Sequence, residues 1–195
     1  YEAEALGEKK FQNLEHMSSS AIEAIAIDGD QETILELELD WLQKQGMINN
    51  IPLITEKAEN FAFFNNVPDQ DAIVRWNTLA RGLGEYLMPS LALKTAAAMK
   101  EMVILVGMNS AGFTEVSLVD EEDEDNIIQI PTDPNYRGRL LLNHYGPDGT
   151  FPRFSLADAA DDNFTPEQRE QLKGISLLFG PTAIGINDQR ANPFD

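Results

Sequence analysis

Carboxylates are the residues in this chain most able to do chemistry. Asp120, Glu121, Glu122, Asp123, Glu124 and Asp125 form an unbroken acidic run, and several carboxylate oxygens in one loop suit a calcium ion. The run lacks the alternating ligand spacing, central glycine and closing glutamate of an EF-hand loop. Two other roles are open to it: a negative rim or channel wall that repels polyanions, or a solvated loop between two strands. The solvated loop needs the fewest assumptions. A second group, Asp158, Asp161 and Asp162, could flank a metal or supply a general acid and base. Such a pair needs a cleft and two different environments, and the plainer reading is a polar connection before the next helix.

Other chemistries lack their residues. His16 and His144 are the two imidazoles, and neither lies in a His-Glu-x-x-His arrangement. His144, next to Tyr145 and a turn, reads as a packing or turn residue. No serine sits in a Gly-x-Ser-x-Gly elbow, and the glycines form neither a Walker loop nor a dinucleotide fingerprint. With no cysteine, there is no disulfide framework and no thiolate metal site. Neither an enzyme site nor a cofactor is expected.

Composition narrows the class. The 195 residues carry 33 Asp and Glu against 14 Lys and Arg, a formal charge of −19. A phosphate-binding surface needs clustered cations, so a nucleic-acid groove is excluded. No apolar run approaches the roughly 20 residues that cross a bilayer. At 43% apolar types, the chain can bury a core. No basic-then-apolar signal segment is present at Tyr1, so the sequence is expected to start either inside a longer chain or after processing.

The elements expected to position these groups are helical first and strand-like later. Leu6, Phe11, Leu14 and Met17 form a loose stripe. Ile34, Leu35, Leu39 and Leu42 recur at helical spacing and stop at Gly46. Ile73, Trp76, Ala80, Leu83 and Leu87 step by three and four from an Asp69 N-cap, predicting a helix from Ala72 to Leu87. Met88-Pro89-Ser90 breaks it, and a second helix is expected from Leu91 to Leu105. The short joint would pack these two as a pair. After Gly107, strands are expected at Phe113 to Val119, Ile127 to Ile130 and Arg139 to Asn143. The last of these leads into a Tyr145–Gly149 turn across which Phe151 to Leu156 could pair. Thr165-Pro166 should open a short helix. The expected fold is α+β: a helical bundle core over 1–107, and a β-rich segment with an extended tail over 108–195.

From Glu32 to Leu105 the order of elements resembles the head-to-tail adaptor (head-completion, or tail accessory) proteins of short-tailed bacteriophages. Three stretches carry the resemblance. They are the acidic helix closing in Asp40-Trp41-Leu42-Gln43-Lys44-Gln45-Gly46-Met47-Ile48, the loop up to Val67-Pro68-Asp69, and the alanine-rich pair broken at Met88-Pro89-Ser90.

The resemblance implies a non-enzymatic virion protein, assembled in the host cytoplasm as a homo-oligomeric ring. Such rings are commonly dodecamers that join the portal to distal tail proteins. DNA would pass nearby without specific binding, and no membrane would be involved. Trp76, Ala80, Gly82, Gly84, Leu87 and Pro89 would then form lateral subunit contacts. Asn192, Pro193 and Phe194 would form a docking tail, and the acidic run at 120–125 would line the channel or stay a loop. Two rivals stand beside this. One is an extracytoplasmic sensor or ligand-binding domain of a membrane receptor, with its membrane span before Tyr1. The other is a carboxylate-dependent hydrolase using residues between Asp120 and Asp162.

Overall fold

The computed structural model describes residues 20–26, 52–83, 86–109, 112–133, 135, 138–147, 149–178 and 180. The expected Glu32–Gln45 helix, His16, Gly84 and the Asn192–Phe194 tail lie outside them. The fold is mixed, with short helices and mainly antiparallel sheets. Its strands are β1 (Glu23–Ala26), β2 (Trp76–Thr78), β3 (Ala80–Leu83), β4 (Tyr86–Pro89), β5 (Val103–Asn109), β6 (Gly112–Val119), β7 (Ile127–Ile130) and β8 (Arg139–Leu141). Its helices are α1 (Pro52–Thr55), α2 (Leu91–Lys100), α3 (Leu156–Ala160) and α4 (Pro166–Gln171).

The chain divides into two compact units. The first comprises Tyr1–Val67 and Trp76–Leu142, the second Pro68–Arg75 and Asn143–Asp195. The expected division at 107/108 falls within β5. In the first unit the sheet runs β1-β5-β6-β7, with β1 parallel to β5 and the other pairs antiparallel. Valine, isoleucine and leucine alternate in and out along β5 and β6, as a pleated, half-buried surface demands. Ile104, Val106, Met108, Phe113, Val116 and Leu118 face a core shared with Leu79, Ala80, Leu87, Leu93 and Ala97. Thr114 is the extra residue of a bulge, because Gly107 pairs with Glu115 while Met108 pairs with Phe113.

The helical bundle expected over the first 107 residues is not what residues 72–89 form. In place of the Ala72–Leu87 helix the chain makes three strands, β3 and β4 as a hairpin and β2 paired to β8. Ala72 has a positive φ of 66°, which ends helical geometry at the proposed start. Leu79, Ala80, Gly82, Leu83, Leu87, Met88 and Pro89 are all buried. Strands covered on both faces lose the two-residue alternation that identifies them, so apolar steps of three and four arise by coincidence. Gly82 also disfavours a helix by about 1 kcal/mol.

The second expected helix forms, but is shorter. The Ser90 side chain accepts from the Leu93 N–H and caps α2. Glu101 adopts the left-handed conformation, and the Met102 N–H donates to the Ala97 carbonyl five residues back, a Schellman closure. The Leu105 end of the prediction is already mid-strand in β5. Later expectations fare better. The segment Ile127–Ile130 is β7, and α4 opens on Thr165 and Pro166 with a capping box to Gln168. Phe151 to Leu156 forms no strand; α3 begins at Leu156.

Candidate functional site

Arginines, not carboxylates, organise the polar chemistry of the described residues. Three of the described arginines meet an aspartate. In the second unit Arg75 binds Asp69 at 3.0 Å and Asp71 at 2.7 Å. The Arg75 hydrogen bonds hold the fully exposed Asp71 carboxyl down at about 2. Arg169 binds Asp162 at 2.6 Å across α4.

In the first unit, Arg139 on β8 forms a short ion pair with Asp133 through Nη2, and Nε donates to the same oxygen at 3.0 Å. The other oxygen of Asp133 accepts from the backbone N–H and the side-chain amide of Asn135 at 2.8 and 2.7 Å. Burial pushes the Asp133 carboxyl up, but these donors outweigh it and the net shift is downward. The Arg139 guanidinium lies 4.8 Å from the Trp76 ring centroid, a cation–π contact. Strand pairing of Trp76 with Leu141 and of Thr78 with Arg139 brings these groups together.

Arg81 is arranged differently. It lies on β3 with its guanidinium 5.0 Å from the Phe63 ring centroid. One Nη2 contact reaches the Asn65 carbonyl at a long 3.5 Å. Among the described residues no carboxylate lies within ion-pair distance of it. Partial burial alone draws its pKa below the usual arginine value. Phe63 is pinned on both sides: its N–H donates to the Pro89 carbonyl and its carbonyl accepts from the Leu91 N–H. It also packs against Leu83 and Met88. The adjoining Asn66 accepts from the Asn77 amide at 2.9 Å.

A shallow concavity of about 160 Å³ lies on the sheet face opposite the core, lined by Leu105, Val106, Gly107, Glu115, Ser117, Val119, Ile127 and Gln129. Its lining is mostly apolar, with Glu115 its one charged group.

The residues singled out from sequence are placed as follows. The acidic run is the β6–β7 loop, and its carboxylates close that loop on itself. Asp120 accepts from the Glu122 N–H at 3.0 Å and the Asn126 amide at 3.0 Å, and both lower its pKa, the backbone bond most. Asp123 accepts from the Asp125 N–H at 3.2 Å. Glu121, Glu122, Glu124 and Asp125 are exposed. Among the described residues no three acidic or histidine side chains converge to hold a metal. Asp158 is exposed in the first turn of α3, and Asp162 is held by Arg169. His144 donates from Nε2 to the Val74 carbonyl at 3.2 Å.

Of the proposed subunit contacts, Ala80, Gly82, Leu87 and Pro89 are buried inside the chain itself, and Trp76 is half-buried under Arg139. Their burial needs no neighbouring copy. Sequence reading missed Arg81 and Arg139 as organising residues. The available signal was the scarcity of cations, each sitting near an aromatic in the chain's own β-rich stretches.

These features define a mixed domain with mainly antiparallel sheets and short helices, not the helical bundle core expected of an adaptor. The match to the CHASE2 domain covers residues 8–195, and the chain belongs to that family. CHASE2 domains are extracytoplasmic sensor domains of signalling proteins. The phage adaptor resemblance is thereby overturned, together with the virion localisation and the portal-to-tail connector function. The portal and tail-protein partners rested on that resemblance and lose their support with it. Of the stretches that carried it, the expected Ala72–Leu87 helix is replaced by β2, β3 and β4 within residues 76–89. No curated protein and no solved structure matches the chain.

Proposed function

We propose that this chain is the extracytoplasmic sensing module of a membrane-bound signalling protein, binding a ligand and performing no catalysis of its own. The family match over residues 8–195 carries this reading. The side-chain chemistry is consistent with it, since Asp120, Asp133 and Asp162 are engaged in loop closure and ion pairs. Among the described residues, no helix is long and apolar enough to cross a membrane.

These 195 residues contain no cysteine, so labelling of an introduced one is compared with the unsubstituted parent protein. Glu124→Cys, in the exposed β6–β7 loop, is introduced into the parent protein in its native cells. A membrane-impermeant maleimide should label it in intact cells. Labelling only after lysis would overturn the proposal.

A further inference from the structure

The contrast among the arginines bears on what such a module would bind. Arg75, Arg139 and Arg169 each hold an aspartate, whereas Arg81 holds one long carbonyl contact. A guanidinium carries five N–H donors in a planar fork that matches a carboxylate. Stacking on Phe63 occupies one face of that plane and leaves the in-plane donors largely unused. The ring beneath it is fixed by two backbone hydrogen bonds and by packing on Leu83 and Met88, so the fork is held in place before any ligand arrives. Asn65, whose carbonyl the fork meets, is exposed. Partial burial without a counter-charge costs stability, and an anion would offset that cost.

We infer that Arg81, stacked on Phe63 beside the Asn65 carbonyl, is a binding site for the carboxylate of a small solute. Net charge narrows the class further. A chain with a formal charge of −19 repels each additional negative charge on an approaching ligand. A monocarboxylate or a net-neutral amino acid therefore fits better than a doubly charged phosphate. The inference rests on the sensor reading for its purpose, but its test is independent of membrane topology.

The test is an NMR titration of the full chain with acetate, lactate, glycine and inorganic phosphate, following the Arg81 guanidinium resonances and, in every variant, the backbone amides of residues 63–66. The expected result is saturable shifts with at least one carboxylate and weaker binding of phosphate. Arg81→Gln should abolish carboxylate binding. Asn65→Asp adds a negative charge on the exposed residue whose carbonyl the fork meets, and should weaken binding about tenfold or more with the thermal midpoint unchanged. This second variant serves if Arg81→Gln fails to fold. Absence of saturation with every carboxylate overturns the site, as does binding undiminished in Asn65→Asp. Binding of phosphate alone overturns the carboxylate assignment. An empty titration leaves the maleimide result untouched.

Discussion

At the scale of single residues, Gly138 shows how closely the first unit is fitted. Its φ is +58°, and a Cβ there would lie 2.6 Å from Cδ2 of the fully buried Phe113 ring. Both the left-handed backbone and the contact exclude a side chain. Gly138→Ala is expected to cost roughly 2–4 kcal/mol, measured by urea unfolding. Asp133 is the other sensitive residue, its side chain 1% exposed and dependent on Arg139. Arg139→Leu leaves that carboxylate buried and short of its cation, at a cost of roughly 3 kcal/mol.

The same ion pair sets an acid limit. The folded Asp133 pKa is depressed below an unfolded value of about 3.9. Its stabilisation is therefore complete above about pH 4 and is lost as pH falls through the lower folded value. In Arg139→Leu burial is no longer outweighed by the cation, so the apparent Asp133 pKa should rise and the loss should begin at higher pH. An unchanged acid-unfolding profile in the variant would refute this account of the pair.

At the scale of elements, local signals decided those that stand on their own chemistry. Thr165-Pro166 and Gln168 carry both halves of a capping box, and α4 formed where they stand. Phe113–Val119 and Ile127–Ile130 are rich in β-branched residues, and each lies in a strand. Residues 72–87 went the other way because β2 draws its hydrogen bonds from β8, some 60 residues on, and β3 folds back on β4 as a hairpin. Caps should also differ by context. Ser90 caps a helix whose Leu93 and Ala97 lie in the core, whereas α4 buries nothing. Ser90→Ala should destabilise the fold by about 1–2 kcal/mol. Thr165→Ala should lower local hydrogen-exchange protection in α4 and leave the global unfolding midpoint nearly unchanged.

At the scale of the whole molecule, charge dominates. Self-repulsion in a chain with a formal charge of −19 opposes compaction, and salt screens it over about 8 Å at physiological ionic strength. Raising salt from about 10 mM to about 150 mM should stabilise the chain. A gain of about 1 kcal/mol would raise the thermal midpoint by about 2–4 °C, readable by circular dichroism. A midpoint that falls with salt would mean that ion pairs such as Arg75–Asp71 outweigh the repulsion.

Sequence alone determined what depends on residue type and near neighbours. Acidity, the lack of thiol chemistry, the acidic loop between two strands and the α4 cap all follow from residues within a few positions of one another. Only the tertiary structure decided that residues 76–89 are strands, that Arg139 pairs with Asp133 over Trp76, and that Arg81 is left with an unused fork above Phe63. Those outcomes depend on which distant segments supply hydrogen bonds and burial. Such long-range pairing overrides an apolar spacing that reads equally well as a helix.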